Sequence, residues 1–333
     1  MTDAPPTLRW DIVTARWTVL APARLATPRD VTHRAVALRG AESCPFCPSG
    51  EREIREVRWE RRGDDGAWLT RAVTNRFPMV SGEGDGGGDA RGGIFRERPL
   101  HGEHEVLIET PEHALELPDM SAAQRERVAE LYLSRARALS TRPDAAAVVL
   151  FKNRGPRSGG SLRHPHAQAM SFPVVPPSVL RRDRVAAQHY AREGRSALAA
   201  ARDAELRDGR RLVEADDDWA VFNPFASHRG WETWVVPRFD SPWFGAMSER
   251  RAAGFAEVLS RTLRRLRACT ADADYNLVVR QPARRRWAEP WAGWHLEVIT
   301  RRGGDAGFEL TAETHCAVVA PEAAASALRA AEA

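Results

Sequence analysis

Met120-Ser121-Ala122-Ala123-Gln124 and Met247-Ser248-Glu249-Arg250-Arg251 open two helical segments about 127 residues apart. In the first, Ser121 and Gln124 have capping-box spacing, and Val128, Leu131, Tyr132 and Leu139 then fall near one face. In the second, Phe255, Val258, Leu259 and Leu266 do the same. Upstream of the first helix lie Asn75-Arg76-Phe77-Pro78 and the strand-like run His104 to Ile108. Upstream of the second lie Asn223-Pro224-Phe225-Ala226 and Trp231 to Pro237. Downstream, each helix is followed by a β-rich run (Ala146 to Phe151, Tyr275 to Val279), a loop, and a histidine-bearing strand, His164-Pro165-His166-Ala167-Gln168 or His295-Leu296-Glu297. Both halves therefore read strand, strand, helix, strand, loop, strand. This order predicts an α+β fold: a tandem repeat of two units, each a mostly antiparallel sheet with a long helix. The charged, Ala/Arg-rich stretch between Pro176 and Glu214 reads as a helical connection, which places the domains at 1–176 and 177–333.

Composition agrees with two cores. A chain of 333 residues, 43% apolar and 28% charged, is long enough for about two domains and excludes collagen-like and wholly disordered classes. Its four cysteines are poor material for a disulfide framework. The start of the chain lacks a basic segment followed by an apolar one, and no run approaches the roughly 18 apolar residues of a membrane span. A soluble, cytoplasmic protein without a membrane partner is expected. The net charge of +4 comes from 49 basic and 45 acidic residues that are interspersed, so no nucleic-acid partner is expected and small anions are the better fit. Every basic residue except Lys152 is arginine. The segment Gly82 to Gly93 has no apolar residue larger than alanine and reads as a mobile loop. It is not a P-loop, since no Gly-Lys-Ser/Thr follows.

Chemistry concentrates between Phe151 and Gln168. Gly155, Gly159 and Gly160 allow the backbone to approach an anion, Ser158, Ser161 and main-chain N–H groups can donate to phosphate oxygens, and nearby arginines add charge. On the strand that follows, alternation predicts one shared face for His164, His166 and Gln168. An imidazole there can attack phosphorus if its other ring nitrogen is held by an acceptor. Satisfied surface histidines beside a glycine turn are the alternative, but the loop, the spacing and Gln168 together favour function.

Cys44-Pro45-Phe46-Cys47 has the spacing of a metal knuckle, and zinc would need two further ligands, with His101, His104, His113 and His164 as candidates. A redox role is disfavoured because Pro48-Ser49-Gly50, rather than a helix opening, follows the pair. In the second half His295 corresponds to His166, but Gly293 and Glu297 replace His164 and Gln168, so one active and one supporting half are expected. The segment Gly307 to His315 reads as a further strand.

At these residues the sequence resembles the galactose-1-phosphate uridylyltransferase family, a branch of the histidine-triad superfamily. The resemblance is carried by Arg9-Trp10-Asp11 to Pro22-Ala23-Arg24, the cysteine pair, Asn75-Arg76-Phe77-Pro78, the loop with His164-Pro165-His166-Ala167-Gln168, and Phe308 to Thr314. It implies two histidine-triad-like domains, the first catalytic, and a homodimer. It also implies a ping-pong reaction in which a histidine takes a nucleoside monophosphate from a nucleotide sugar and passes it to a sugar 1-phosphate. Carried over by motif, His166 is the nucleophile, with Gln168 and Ser161 as phosphate contacts, Asn75 and Asn153 as nucleotide contacts, and Arg24 as a further phosphate contact. Cys44, Cys47, His113 and His164 become a structural Zn2+ set, because the family's third ligand sits in a Pro-x-His turn that matches Pro111-Glu112-His113. Glu309 matches a sugar-binding glutamate, while His315 stands where the transferase proper has glutamine. Gly293 removes a ligand of the second metal that many members carry. Inorganic phosphate as acceptor, in a nucleotide-sugar or dinucleotide phosphorylase, is the alternative activity, and a non-catalytic zinc-stabilised nucleotide-binding module is the alternative to an enzyme.

Overall fold

The computed structural model describes residues 5–26, 40–82, 94–302 and 304–331. Apart from Gly82, the expected glycine-rich loop lies outside them. Ten strands form one antiparallel sheet. The first half supplies β3 (Val57–Arg62), β4 (Trp68–Thr74), β5 (His104–Ile108), β6 (Ala147–Arg154) and β7 (His166–Phe172). The second supplies β8 (Leu212–Ala215), β9 (Trp219–Phe222), β10 (Thr233–Pro237), β11 (Tyr275–Arg280) and β12 (His295–Thr300). Their order, β3-β4-β5-β7-β6-β11-β12-β10-β9-β8, is the same sequence of roles read inward from either edge. The two half-sheets join where β6 pairs with β11, with Asn153 opposite Asn276 and Lys152 opposite Leu277.

Each half follows the expected order, with β3 or β8 added at its outer edge. The two long helices, α1 (Ala122–Ser140) and α4 (Glu249–Thr270), pack on each other across one face of the sheet. Ser121 and Ser248 accept hydrogen bonds from the main-chain N–H of Gln124 and Arg251, as N-caps do. The capping box around Ser121 is only half made, because the Gln124 amide instead donates to the carbonyls of Leu69 and Glu109 and so ties α1 to the sheet. Val128, Leu131 and Leu139 from α1 and Phe255, Val258, Leu259 and Leu266 from α4 share one core with Ala167 and Ala169 of β7 and Leu296 and Val298 of β12. Strand alternation then turns His166 and Gln168, like His295 and Glu297, to the opposite face.

The connection between the halves is helical as expected, forming α2 (Pro177–Glu193) and α3 (Ala197–Asp208). The N-terminal hairpin, β1 (Thr7–Asp11) and β2 (Arg16–Leu20), forms a separate small sheet with β13 (His315–Ala317). It packs on the second half, where Arg9 pairs with Glu322 of α6 (Pro321–Ala330) at 3.0 Å. One sequence expectation fails: most of Gly307 to His315 is not a strand but the short helix α5 (Gly307–Ala312), and only His315 belongs to a strand, β13. Glu309 accepts from the N–H of Ala306 at 3.0 Å, and an acid in the first turn favours helix over the exposed alternation expected there. No helix among the described residues is long and apolar enough to cross a membrane.

Candidate active site and metal centre

Cys44 and Cys47 sit on a tight loop whose turns bring both sulfurs under the end of β7. Their partners are His164, just before that strand, and His113, in the turn before α1. Ligand atoms of all four lie within 4.8 Å of one another, the one such cluster among the described residues. The Sγ to Nδ1 separations are 3.6 Å (Cys44 to His164), 3.4 Å (Cys47 to His113) and 3.5 Å (Cys47 to His164). Tetrahedral zinc with sulfur at about 2.3 Å and nitrogen at about 2.0–2.1 Å demands an S···N edge of roughly 3.6 Å, so the four donors fit a metal of this size. His164 donates from Nε2 to the carbonyl of Thr110 at 2.7 Å, leaving Nδ1 free to ligate. Burial and the neighbouring Cys44 push the Cys47 thiol up to about 11, a cost that a bound dication reverses.

His101 and His104 are not in this cluster. His104 donates from Nε2 to Gln168 Oε1 at 2.9 Å and accepts at Nδ1 from the N–H of Met79, so it orients the glutamine. Asn75 lies in the same group, with its amide 3.5 Å from Gln168 Oε1.

His166 begins β7 two residues after the metal-cluster histidine, and the Phe46 ring packs edge-on against both imidazoles. Its Nδ1 donates to the carbonyl of His164 at 2.8 Å, which fixes the tautomer and leaves the Nε2 lone pair without a partner among the described residues. Burial, and then the positive charge of Lys152, hold its pKa below the usual histidine value, so the ring is neutral at pH 7. It lines a cleft of ≈ 510 Å³, together with His164, Lys152, Asn153, Gly155 and Arg163.

Beneath the cleft is an arrangement that sequence reasoning missed. Lys152, the chain's one lysine, is 3% exposed and donates to Glu109 at 2.8 Å and to Glu116 at 3.0 Å. Tyr132 from α1 donates to the other oxygen of Glu109 at 2.6 Å. Burial works against the ammonium charge, but the two carboxylates outweigh it and raise the Lys152 pKa. A permanent cation thus stands beside the nucleophile candidate, where phosphate charge would gather.

The glycine loop is more structural than expected. Gly155 has φ +86°, and a Cβ there would collide with the Asp274 carboxylate. Ser158 donates to the carbonyl of Gly155 at 2.7 Å, and Gly160 N–H closes onto the same carbonyl. Asn276 of β11 donates to Asn153 Oδ1 at 2.7 Å and to the carbonyl of Ser158 at 2.9 Å. Asn153 and Gly155 line the cleft, whereas Ser158, Gly159, Gly160 and Ser161 lie outside its lining. Arg24, Glu309 and His315 are brought together elsewhere, in a pocket of ≈ 300 Å³ that shares no lining residue with the His166 cleft.

The family model described as galactose-1-phosphate uridyl transferase, N-terminal domain, matches residues 2–176. The chain belongs to this family. It is 26% identical over 329 residues to an ADP-glucose phosphorylase of Arabidopsis thaliana, covering 97% of this chain and 92% of that one. A galactose-1-phosphate uridylyltransferase of Streptomyces lividans is 28% identical over 246 residues, which is 74% of this chain and 61% of that protein. A crystal structure of an Arabidopsis thaliana ADP-glucose phosphorylase with bound ADP-glucose superposes with a TM-score of 0.86 at 25% identity, covering 99% and 100% of the two chains.

Within this family fold the second half is closed to the same chemistry. His295 is buried against Trp234 with its Nε2 3.3 Å from Glu297, and Arg280 donates to the same carboxylate at 2.6 Å. No metal cluster forms there among the described residues.

Proposed function

We propose that this protein moves a nucleoside monophosphate from a nucleotide sugar to inorganic phosphate through a covalent nucleotidyl-His166 intermediate. His166 itself supports this most directly, since its Nδ1 is tied to a carbonyl while its free Nε2 belongs to a ring that lines the cleft. In the first step Nε2 attacks the α-phosphorus, the bond from that phosphorus to the bridging oxygen breaks, and sugar 1-phosphate leaves. In the second, a phosphate oxygen attacks the same phosphorus, the P–N bond breaks, and a nucleoside diphosphate leaves with the histidine restored. Lys152, Arg154 and Arg163 are placed to offset phosphate charge, and Gln168, held by His104, is the neighbouring polar group on the strand face.

Phosphate is placed ahead of sugar 1-phosphate, the acceptor ranked first on sequence alone, because the similarity to ADP-glucose phosphorylase spans 97% of the chain. Sugar 1-phosphate as acceptor is the second reading, favoured by the similarity to uridylyltransferases. The metal is zinc, and with four protein ligands it supplies a structural tie that keeps the His164–His166 segment in place, not an open coordination position. Residues 1–176 act as the catalytic domain and 177–333 as its support. The separate Arg24, Glu309 and His315 pocket suits a homodimer, in which a second copy brings these groups to the substrate.

Intact-protein mass spectrometry after incubation with nucleotide sugars tests this. A mass gain of one nucleoside monophosphate on His166, discharged as nucleoside diphosphate by phosphate, is expected. Turnover without any adduct would remove the mechanism, and discharge only by sugar 1-phosphate would favour the second acceptor.

A further inference from the structure

A third pocket, of ≈ 260 Å³, lies between β11, β12, the start of α2 and the N-terminal hairpin, and meets the Arg24, Glu309 and His315 pocket at His228, Arg229 and His315. Six arginines line it, Arg16, Arg181, Arg182, Arg229, Arg280 and Arg301, against three carboxylates. Those carboxylates are already engaged. Glu297 holds Arg280 at 2.6 Å, Asp305 holds Arg229, and Glu232 accepts from the N–H of His228 at 2.6 Å and the Trp234 indole at 2.8 Å. Arg301 reaches only the side-chain carbonyl of Asn276. Among the described residues Arg16, Arg181 and Arg182 have no ion-pair or hydrogen-bond partner, and Nε of Arg181 is fully buried in that state.

Uncompensated buried charge is costly, and like charges at close range compound the cost. Burial and neighbouring arginines hold Arg181, Arg182 and Arg301 below the usual guanidinium range, Arg182 down to about 10. The helix adds to the imbalance. The first turn of α2 has no acidic residue and no side-chain cap, and Arg181 and Arg182 sit near its positive end, where cations are disfavoured. Buried Nε2 of His228 and Nδ1 of His315 make no hydrogen bond and face carboxylates instead, Asp11 at 3.8 Å and Asp305 at 3.7 Å. Guanidinium groups of Arg16, Arg181 and Arg182, none of them paired among the described residues, thus converge on one small space.

We propose that this pocket is a binding site for a phosphate-bearing anion, separate from the His166 cleft. Planar guanidinium forks match phosphate oxygens bidentately, and the volume, below that of pockets for drug-sized ligands, fits a phosphate group with at most a small substituent. The ligand is free phosphate or the phosphate of a small monoester. The pocket shares no lining residue with the cleft of the nucleophile.

Calorimetric titration of the full chain at low ionic strength tests this, using inorganic phosphate, glucose 1-phosphate and pyrophosphate in separate arms. The His166→Asn variant removes the competing covalent chemistry. In that background two phosphate-class binding events are expected, one at the His166 cleft that the arginine variants leave alone, and one weakened at least tenfold by either Arg181→Met or Arg16→Met and largely kept by Arg181→Lys. Tighter binding of the monoester than of inorganic phosphate assigns the site to a sugar phosphate, and equal binding assigns it to the free ion. Each variant is also heated with and without ligand, so that a destabilised protein is recognised from its own unliganded melting temperature. An affinity unchanged by both Arg181→Met and Arg16→Met, or no binding in the His166→Asn background, overturns the assignment.

Discussion

Replacing Lys152 by methionine isolates the buried charge cluster under the candidate nucleophile. Methionine roughly preserves the length and volume of the lysine stem, so packing changes little and the lost quantity is the ammonium with its two hydrogen bonds, at 2.8 Å to Glu109 and 3.0 Å to Glu116. Glu109 is 0% exposed and, among the described residues, would keep only the Tyr132 hydroxyl at its far oxygen. Breaking a buried ion pair from one side costs about 3–5 kcal/mol, because the remaining charge is uncompensated. That is a large share of the roughly 5–15 kcal/mol by which domains are stable. Lys152→Met is therefore expected to lower the urea midpoint by the equivalent of about 3–5 kcal/mol at unchanged m. In Lys152→Met/Glu109→Gln the neutral amide still accepts from Tyr132, and a substantial part of the loss should return. Nucleotidyl transfer should stay at least about 10²-fold down in the double variant, since the cation beside the phosphate is gone from both. A loss below about 1 kcal/mol in the single variant, or no recovery in the double, would refute the electrostatic account.

Further outcomes follow from other parts of the structure. His166→Asn should fold with a near-native circular dichroism spectrum and form no nucleotidyl adduct, and measurable transfer by it would end the covalent mechanism. Elemental analysis should find one zinc per chain, sharply reduced in Cys47→Ser and in His113→Ala, with a lower melting temperature after chelation; metal-free protein of full stability would contradict the cluster's role. Gly155→Ala places a side chain at φ +86° against Asp274 and should cost about 1–3 kcal/mol by thermal unfolding. Asp119 is held below the usual carboxylate value chiefly by its hydrogen bonds to Arg267 of α4. A depressed folded value means stability present above pH 3.8 and lost as pH falls through the lower folded value. Asp119→Asn should thus cost about 0.2–1 kcal/mol at pH 7 and progressively less as the pH is lowered below 3.8, when both proteins are compared by denaturant unfolding.

The fold was legible because its two helices announce themselves by serine caps and an apolar face, and because their strands recur in the same order. Periodicity and spacing are local signals, and these elements are local structures. The short helix α5 was misread since six residues are too few to show a period. The metal cluster illustrates the middle ground: Cys44 and Cys47 mark themselves by spacing, but only the family pattern selected His113, and geometry alone explains why His104 turns away to Gln168. Lys152, Glu109 and Glu116 come from β6 and two separate stretches upstream, with no common spacing; sheet pairing creates their meeting. One signal was available, a single lysine among 49 basic residues, inside the same motif as the candidate nucleophile.

The junction of β6 with β11 has a consequence for how this chain can be divided. Asn276 braces Asn153 and the turn at Ser158 from across the seam, so the loop over the cleft owes its shape to residues that arrive more than a hundred positions later. An amino-terminal fragment stopped at 176 would present β6 as a bare edge inviting intermolecular pairing, and the loop over its cleft would be untethered. The second half is thus a scaffold the first half cannot shed.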